Sequence, residues 1–185
     1  MYLRSVSGES DYLAVEKIYT ESFPENERAP LKMLKKRADS GKADFLAVCD
    51  GSEIVGMVYV VCCRDLAYMF YIAIDKAKRG MGYDKNTMAA LLKRYKGKRF
   101  FLALEQPDDT AANSIQRIKR HQFYKSCGLC DLPFKLKEGS VTFAAMGTDL
   151  SGKRSEPIIL PQEYKELMCR FMGFFMSLMV DIRMI

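Results

Sequence analysis

Hydrophobic and polar positions alternate along the chain with two different periods, and the places where the period changes divide it into elements. Tyr2 to Val6 is a short apolar run and predicts a strand. Ser10 and Asp11 supply helix-start chemistry, and Leu13, Ile18 and Tyr19 mark an apolar face reaching Phe23. Pro24 stops that helix, Phe23 to Arg28 reads as a loop, and Pro30 opens a second helix, Leu31 to Asp39, closed by Gly41. Phe45 to Cys49 and Ile54 to Cys63 predict strands joined at Asp50-Gly51, the strongest hairpin signal in the chain. Arg64-Asp65 punctuates before Tyr68 to Ile74, an apolar and aromatic run suited to a buried strand. From Tyr83 the spacing becomes helical, with Met88, Leu91, Leu92 and Tyr95 on one face.

Beyond Gly97 the pattern returns to a strand, Arg99 to Glu105, followed by a loop at Pro107 and Asp108-Asp109. Asn113 to Ser126 predicts a helix with Ile115, Ile118 and Phe123 inward, ended by Gly128. Leu132 to Leu136 and Val141 to Met146 suggest a hairpin around Glu138-Gly139. Ser151 to Glu156 is a polar linker, Pro157 to Leu160 a last short strand, and Pro161 with Glu163 opens a final helix. This order of elements is α+β, with a main domain over residues 1–150 and a C-terminal segment over 151–185. Phe171 to Val180 is nearly all apolar but falls short of the about 20 residues a bilayer needs. Its flanks are charged, so it is expected to pack on its own domain or on a homodimer partner rather than in a membrane.

Composition narrows the field. The net charge of +6 suits an anionic ligand, and no basic run with interleaved aromatics points to nucleic acid. The six cysteines follow a polar N-terminal stretch, which predicts free thiols in a reducing, cytoplasmic setting. Cys127 and Cys130 form a C-x-x-C, but with one histidine and no second pair no metal site is expected.

The densest chemistry lies at the join between the strand ending at Ile74 and the helix from Tyr83. First-turn amides of a helix lack partners and carry partial positive charge. Gly80 and Gly82 would let an anion approach them, and Lys76, Lys78, Arg79 and Lys85 surround them. The stretch reads as a phosphate or pyrophosphate seat, or as a glycine turn with a solvated basic rim. It lacks the lysine and hydroxyl of a Walker loop and the third glycine of a dinucleotide fingerprint.

Arg79-Gly80-Met81-Gly82-Tyr83-Asp84 resembles motif A of the GNAT N-acetyltransferase superfamily: Arg or Gln, two residues, Gly, one residue, then Gly or Ala. Asn113 to Gly128 resembles motif B, in which an Asn precedes the helix and a Tyr lies four residues before a Gly; Asn113 and Tyr124 fit. The resemblance covers Tyr2 to Met146. It implies an acyl-CoA N-acyltransferase fold, a central mixed, mostly antiparallel twisted sheet flanked by helices, here with an extra C-terminal helix.

The resemblance further implies acetyl-CoA as acyl donor. The backbone of Ile72, Ala73 and Ile74 would pair with its pantetheine arm, Arg79, Gly80, Met81, Gly82, Tyr83 and Asp84 would hold its pyrophosphate, and Asn113 would assist. The thioester would lie between Ile72 and Leu104. Asp84 departs from the pattern: its carboxylate suits the helix dipole but repels a pyrophosphate. Tyr124 is the candidate acid for the leaving thiolate, against the alternative of a core tyrosine. Glu105 is the candidate base, with Glu25 and Glu27 as rivals or as binders of a cationic acceptor; each could also be a solvated surface carboxylate. The expected reaction is direct acetyl transfer to an amine of a small molecule, peptide or protein. Two alternatives are a non-catalytic acyl-CoA-binding domain of this fold and an interaction protein associating through its tail helix.

Overall fold

The computed structural model describes residues 1–106, 111–148, 159–173 and 181–185. The chain divides into two compact units, Met1–Cys62 with Met69–Lys96, and Cys63–Tyr68 with Gly97–Ile185.

In the first unit β1 (Tyr2–Ser5), β2 (Ala43–Asp50), β3 (Glu53–Cys63) and β4 (Leu66–Ile74) follow one another in the sheet in chain order. The strand β4 contributes Met69–Ile74 here and Leu66–Tyr68 to the other unit. The register of β1 on β2 and of β2 on β3 is antiparallel, and the hairpin turns at Gly51 with φ of 56°. The helices α1 (Gly8–Ser22), α2 (Leu31–Asp39) and α3 (Tyr83–Arg94) complete the unit. Val15, Ile18, Leu34, Phe45, Met57, Tyr59, Met88 and Leu91 are buried. A Cβ on Gly56 would meet the Ala73 carbonyl oxygen at 2.7 Å, so the close approach of β3 to β4 requires glycine there.

The first helix differs from its expected start. It begins at Gly8 after Ser7, and Asp11 sits one turn inside. The Asp11 carboxylate accepts the Ser7 N–H at 2.9 Å and is gripped by Arg4, with Nη2 to Oδ1 at 2.8 Å. The Arg4 guanidinium holds that carboxyl down at about 2. Asp11 therefore caps backward from inside the helix and ties α1 to β1. Leu13, expected inward, is 62% exposed, and Val15 fills the inner face instead.

In the second unit the strand order is β5-β7-β6-β8, from β5 (Arg99–Glu105), β6 (Leu129–Glu138), β7 (Val141–Thr148) and β8 (Ile182–Met184). All three pairings are antiparallel. The strand β8 was not anticipated. Nor was Ile115 expected to be exposed, yet it is 67% exposed on α4 (Ser114–Ser126), while Tyr124 is buried. Glu138 belongs to β6 rather than to the turn, which falls at Gly139. Its carboxylate accepts hydroxyls from Tyr68 at 2.8 Å and Tyr164 at 2.7 Å, and burial raises its pKa against the pull of those two bonds.

The last helix, α5 (Pro161–Met172), starts as expected, with Glu163 accepting the Leu160 N–H at 2.9 Å. It buries Tyr164, Leu167, Met168 and Phe171 within the chain. Arg99, 7% exposed, bonds both Asp65 and Glu163, so the helix is joined to β5 by charge-assisted bonds as well as by apolar burial. The helix ends at Gly173; the expected continuation to Val180, the polar linker and most of the Pro157–Leu160 strand lie outside the described residues. Among the described residues no helix is long and apolar enough to cross a membrane, and no group of His, Cys, Asp or Glu could hold a metal ion.

Candidate active site

In the first unit the strand β4 ends at Ile74 and the chain turns through Asp75, whose carboxylate accepts the Ala77 N–H at 2.9 Å and opens a single 3-10 turn, Lys76–Lys78. Arg79 is extended and bonds back, Nε to the Ile74 carbonyl at 3.1 Å and Nη2 to Ser22 Oγ at 3.2 Å. This arginine clamps the turn to the strand end. Gly80 and Gly82 have φ of 77° and 82°, conformations that L side chains rarely adopt, and Gly82 is the N-cap of α3. No side chain caps α3 at Gly82. Among the described residues nothing accepts from the amides of Gly80, Met81, Gly82, Tyr83 or Asp84. The first amide that is taken is that of Lys85, bound by Asp84 Oδ1 at 2.8 Å. Five consecutive open amides at the front of a helix fit an anionic ligand. The Asp84 carboxylate is the one group there that does not.

The basic rim is thinner than its composition implies. Lys78 pairs with Glu53 at 2.7 Å, which raises the lysine pKa. Tyr83 donates to Asp50 at 2.5 Å. Lys76 and Lys85 are exposed.

The loop bearing Glu25 and Glu27 is a 3-10 turn tied to β4. The Tyr71 hydroxyl donates to the Glu27 carbonyl at 2.9 Å and accepts the Ala29 N–H at 3.0 Å, and Tyr19 donates to the Ala29 carbonyl at 3.0 Å. Tyr19, Phe23 and Tyr71 pack ring to ring at 4.9–5.5 Å. The structure thus brings Glu25 and Glu27, both exposed, to the strand that carries Ile72, Ala73 and Ile74. Of those three, Ala73 turns its carbonyl toward β3 and Ile74 has its carbonyl bound by Arg79.

In the second unit Glu105 ends β5 and is heavily engaged. Arg117 Nη2 reaches Oε1 at 2.8 Å, Arg120 Nη1 reaches Oε2 at 3.4 Å, and Asn113 Nδ2 donates to Oε2 at 3.4 Å. Asn113 Oδ1 in turn accepts Arg117 Nε at 2.7 Å. The sequence assigned no functional role to Arg117, Arg120, Tyr71 or Arg28. Arg117 was findable, since it stands four residues after Asn113 on one helix face; the other three carried no signal. Tyr124, 7% exposed, donates to none of the described residues. Burial pushes its phenol up to about 12, and the Arg120 charge offsets part of that rise. His121 is paired with Asp131 at 2.5 Å, and all six cysteines are free thiols.

The acetyltransferase (GNAT) family model matches residues 12–129. This chain belongs to that family. No curated protein matches it. Among solved structures it is similar to a protein from Bacteroides thetaiotaomicron assigned to the GNAT family, at 22% identity over 92% of this chain and 94% of that one, TM-score 0.66. It is also similar to a spermidine N-acetyltransferase from Vibrio cholerae, at 15% identity over 84% and 100%, TM-score 0.61. An aminoglycoside 6'-N-acetyltransferase complexed with coenzyme A matches at 10% identity over 86% and 98%, TM-score 0.59. These likenesses establish the fold: mixed α and β, a multi-stranded sheet flanked by helices, as the GNAT resemblance implied.

Proposed function

We propose that this protein is an N-acetyltransferase that moves the acetyl group of acetyl-CoA directly to a primary amine within a ternary complex. The observation that carries the reading is the row of open amides from Gly80 to Asp84, presented by two left-handed glycines and clamped by Arg79. Acetyl-CoA supplies an activated acyl carbon and a thiolate leaving group. The chain's residues do the rest. Backbone amides at the front of α3 hold the diphosphate, and the backbone of Ile72 to Ile74 aligns the extended arm. Tyr124 offers its phenolic hydrogen to the leaving sulfur: the amine nitrogen bonds to the acyl carbon, the carbon–sulfur bond breaks, and the ammonium proton passes to a carboxylate.

Which carboxylate follows from partners. Glu105 has its oxygens bound by Arg117, Arg120 and Asn113, whereas Glu25 and Glu27 are exposed and bind no described side chain. That weighs toward Glu25 or Glu27 as proton acceptor, with Glu105 anchoring Asn113 and Arg117. Six free thiols support a reducing, cytoplasmic setting.

A second reading, a fold that binds acyl-CoA without turnover, is kept in view by Asp84, which brings a negative charge to the amide row and occupies the next amide itself. Calorimetric titration with acetyl-CoA followed by thiol release against an amine panel separates the two. Binding with amine-dependent thiol release is expected; binding alone would leave the second reading, and no binding would end both.

A further inference from the structure

Among the described residues Arg28 stands out as a charge with no hydrogen-bond or ion-pair partner. It closes the 3-10 turn at Glu25–Glu27, and its own backbone N–H bonds to the Glu25 carbonyl at 3.2 Å. Its side chain is half-buried, and Nε is shut off from solvent with no hydrogen-bond partner. No ion pair or hydrogen bond of its guanidinium to any described residue exists. A buried donor left unpaired is destabilising, more so when charged, so native structures rarely keep one without a use.

The surroundings say what that use is. Arg28 lies between Glu27 and Ala29, whose carbonyls accept the hydroxyls of Tyr71 and Tyr19, and these two rings pack on each other and on Phe23. Those rings and the Tyr71 hydroxyl fix the loop from both sides through Glu27 and Ala29. The loop backbone on either side of Arg28 is thus held, and its guanidinium, unbonded to any described residue, stands three residues from the exposed Glu25 and next to the exposed Glu27. A guanidinium fork matches a carboxylate in a side-on, two-bond geometry.

We propose that Arg28 is an anion seat for the acceptor, so that the amine substrate carries a carboxylate as well as an amino group. Glu25 and Glu27 face the ammonium end and Arg28 takes the other. This inference rests on the transferase reading for the word acceptor, but the seat itself does not.

The test has two independent arms. In the first, thiol release is measured with amines paired by charge: glycine and glycinamide, 4-aminobutyrate and 4-aminobutanamide, 6-aminohexanoate and 6-aminohexanamide. At least one carboxylate should exceed its amide in kcat/KM by about ten- to a hundredfold, the scale of one charge-assisted bond, and Arg28→Gln should erase the difference. In the second, the Arg28 Nε–H resonance of the ¹⁵N-labelled wild-type protein is followed against hexanoate and hexanamide. A saturable shift with hexanoate alone is expected, with Arg28→Lys giving the assignment. Turnover with no carboxylate preference and no shift overturns the seat and leaves the transferase standing. A preference that survives Arg28→Gln also overturns it. A saturable shift without turnover on any amine keeps the seat and removes the transferase, and silence in both arms removes both. The wild-type measurements decide the matter even if a variant fails to fold.

Discussion

Tyr124→Phe removes one hydroxyl, and the structure separates its structural effect from its chemical one. The oxygen bonds to no described residue, so its loss strands no partner. We expect the melting temperature to move by no more than about 2 °C, the size of a half-kcal/mol change in a chain this long. Catalysis should respond more. Burial has lifted the phenol to about 12, while an ordinary thiol titrates near about 8.5. Complete proton transfer between them is uphill by about 3.5 pH units, or about 4.8 kcal/mol. A hydrogen bond from phenol to developing thiolate contributes about 1.5–3 kcal/mol without that climb, so donation of a hydrogen bond dominates over full transfer. The expected fall in kcat is therefore about ten- to 150-fold, at the low end of what a full general acid supplies. Thiol release at saturating acceptor measures it, with calorimetry checking that acetyl-CoA affinity stays within about twofold. The phenol also stays protonated well above neutrality, so no alkaline limb near pH 9 should belong to Tyr124. A kcat within threefold of wild type at unchanged melting temperature refutes the role, as does an equal loss in cofactor affinity.

Asp84→Asn keeps a side-chain oxygen for the Lys85 amide but drops the charge at the front of α3, and acetyl-CoA should bind about two- to fivefold tighter by calorimetry. Weaker binding would mean that the carboxylate supports the turn. Tyr71→Phe strands the Ala29 N–H and frees the Glu27 carbonyl, so stability should fall by about 1–3 kcal/mol. Scanning calorimetry should show a melting temperature lower by about 3–10 °C. Burial raises the Glu138 carboxyl above its unfolded value, so the folded state holds its proton longer. Its contribution to stability is complete below the unfolded pKa and is lost as pH rises through the folded one. Denaturant unfolding from pH 4 upward should therefore show Glu138→Gln gaining on wild type as pH rises; parallel curves would contradict the assignment.

Local signals were strong enough to be read directly at several points. Arg99 to Glu105 was bounded correctly because a glycine precedes it and a proline follows it. Asp50-Gly51 located its hairpin, since the left-handed conformation there is one glycine accepts without strain. Pro161 and Glu163 marked the start of α5 through capping chemistry that involves only neighbouring residues. The errors arose where a side chain answered to a distant partner. Asp11 looked like a helix start until Arg4 claimed it. Glu138 looked like turn chemistry until Tyr68 and Tyr164, on other elements, enclosed it.

The candidate site divides in the same way. The sequence alone determined the glycine turn at Gly80 and Gly82, the helix behind it, and the family, because backbone conformation and open amides at a helix front depend on residues that adjoin in the chain. Only the tertiary structure decided that Arg117 and Arg120 occupy Glu105, that Lys78 is spent on Glu53, and that, among the described residues, neither the buried Tyr124 hydroxyl nor the Arg28 guanidinium has a hydrogen-bond partner. Ion pairing and desolvation depend on which side chains the fold brings within a few ångströms, and nothing in local spacing encodes that.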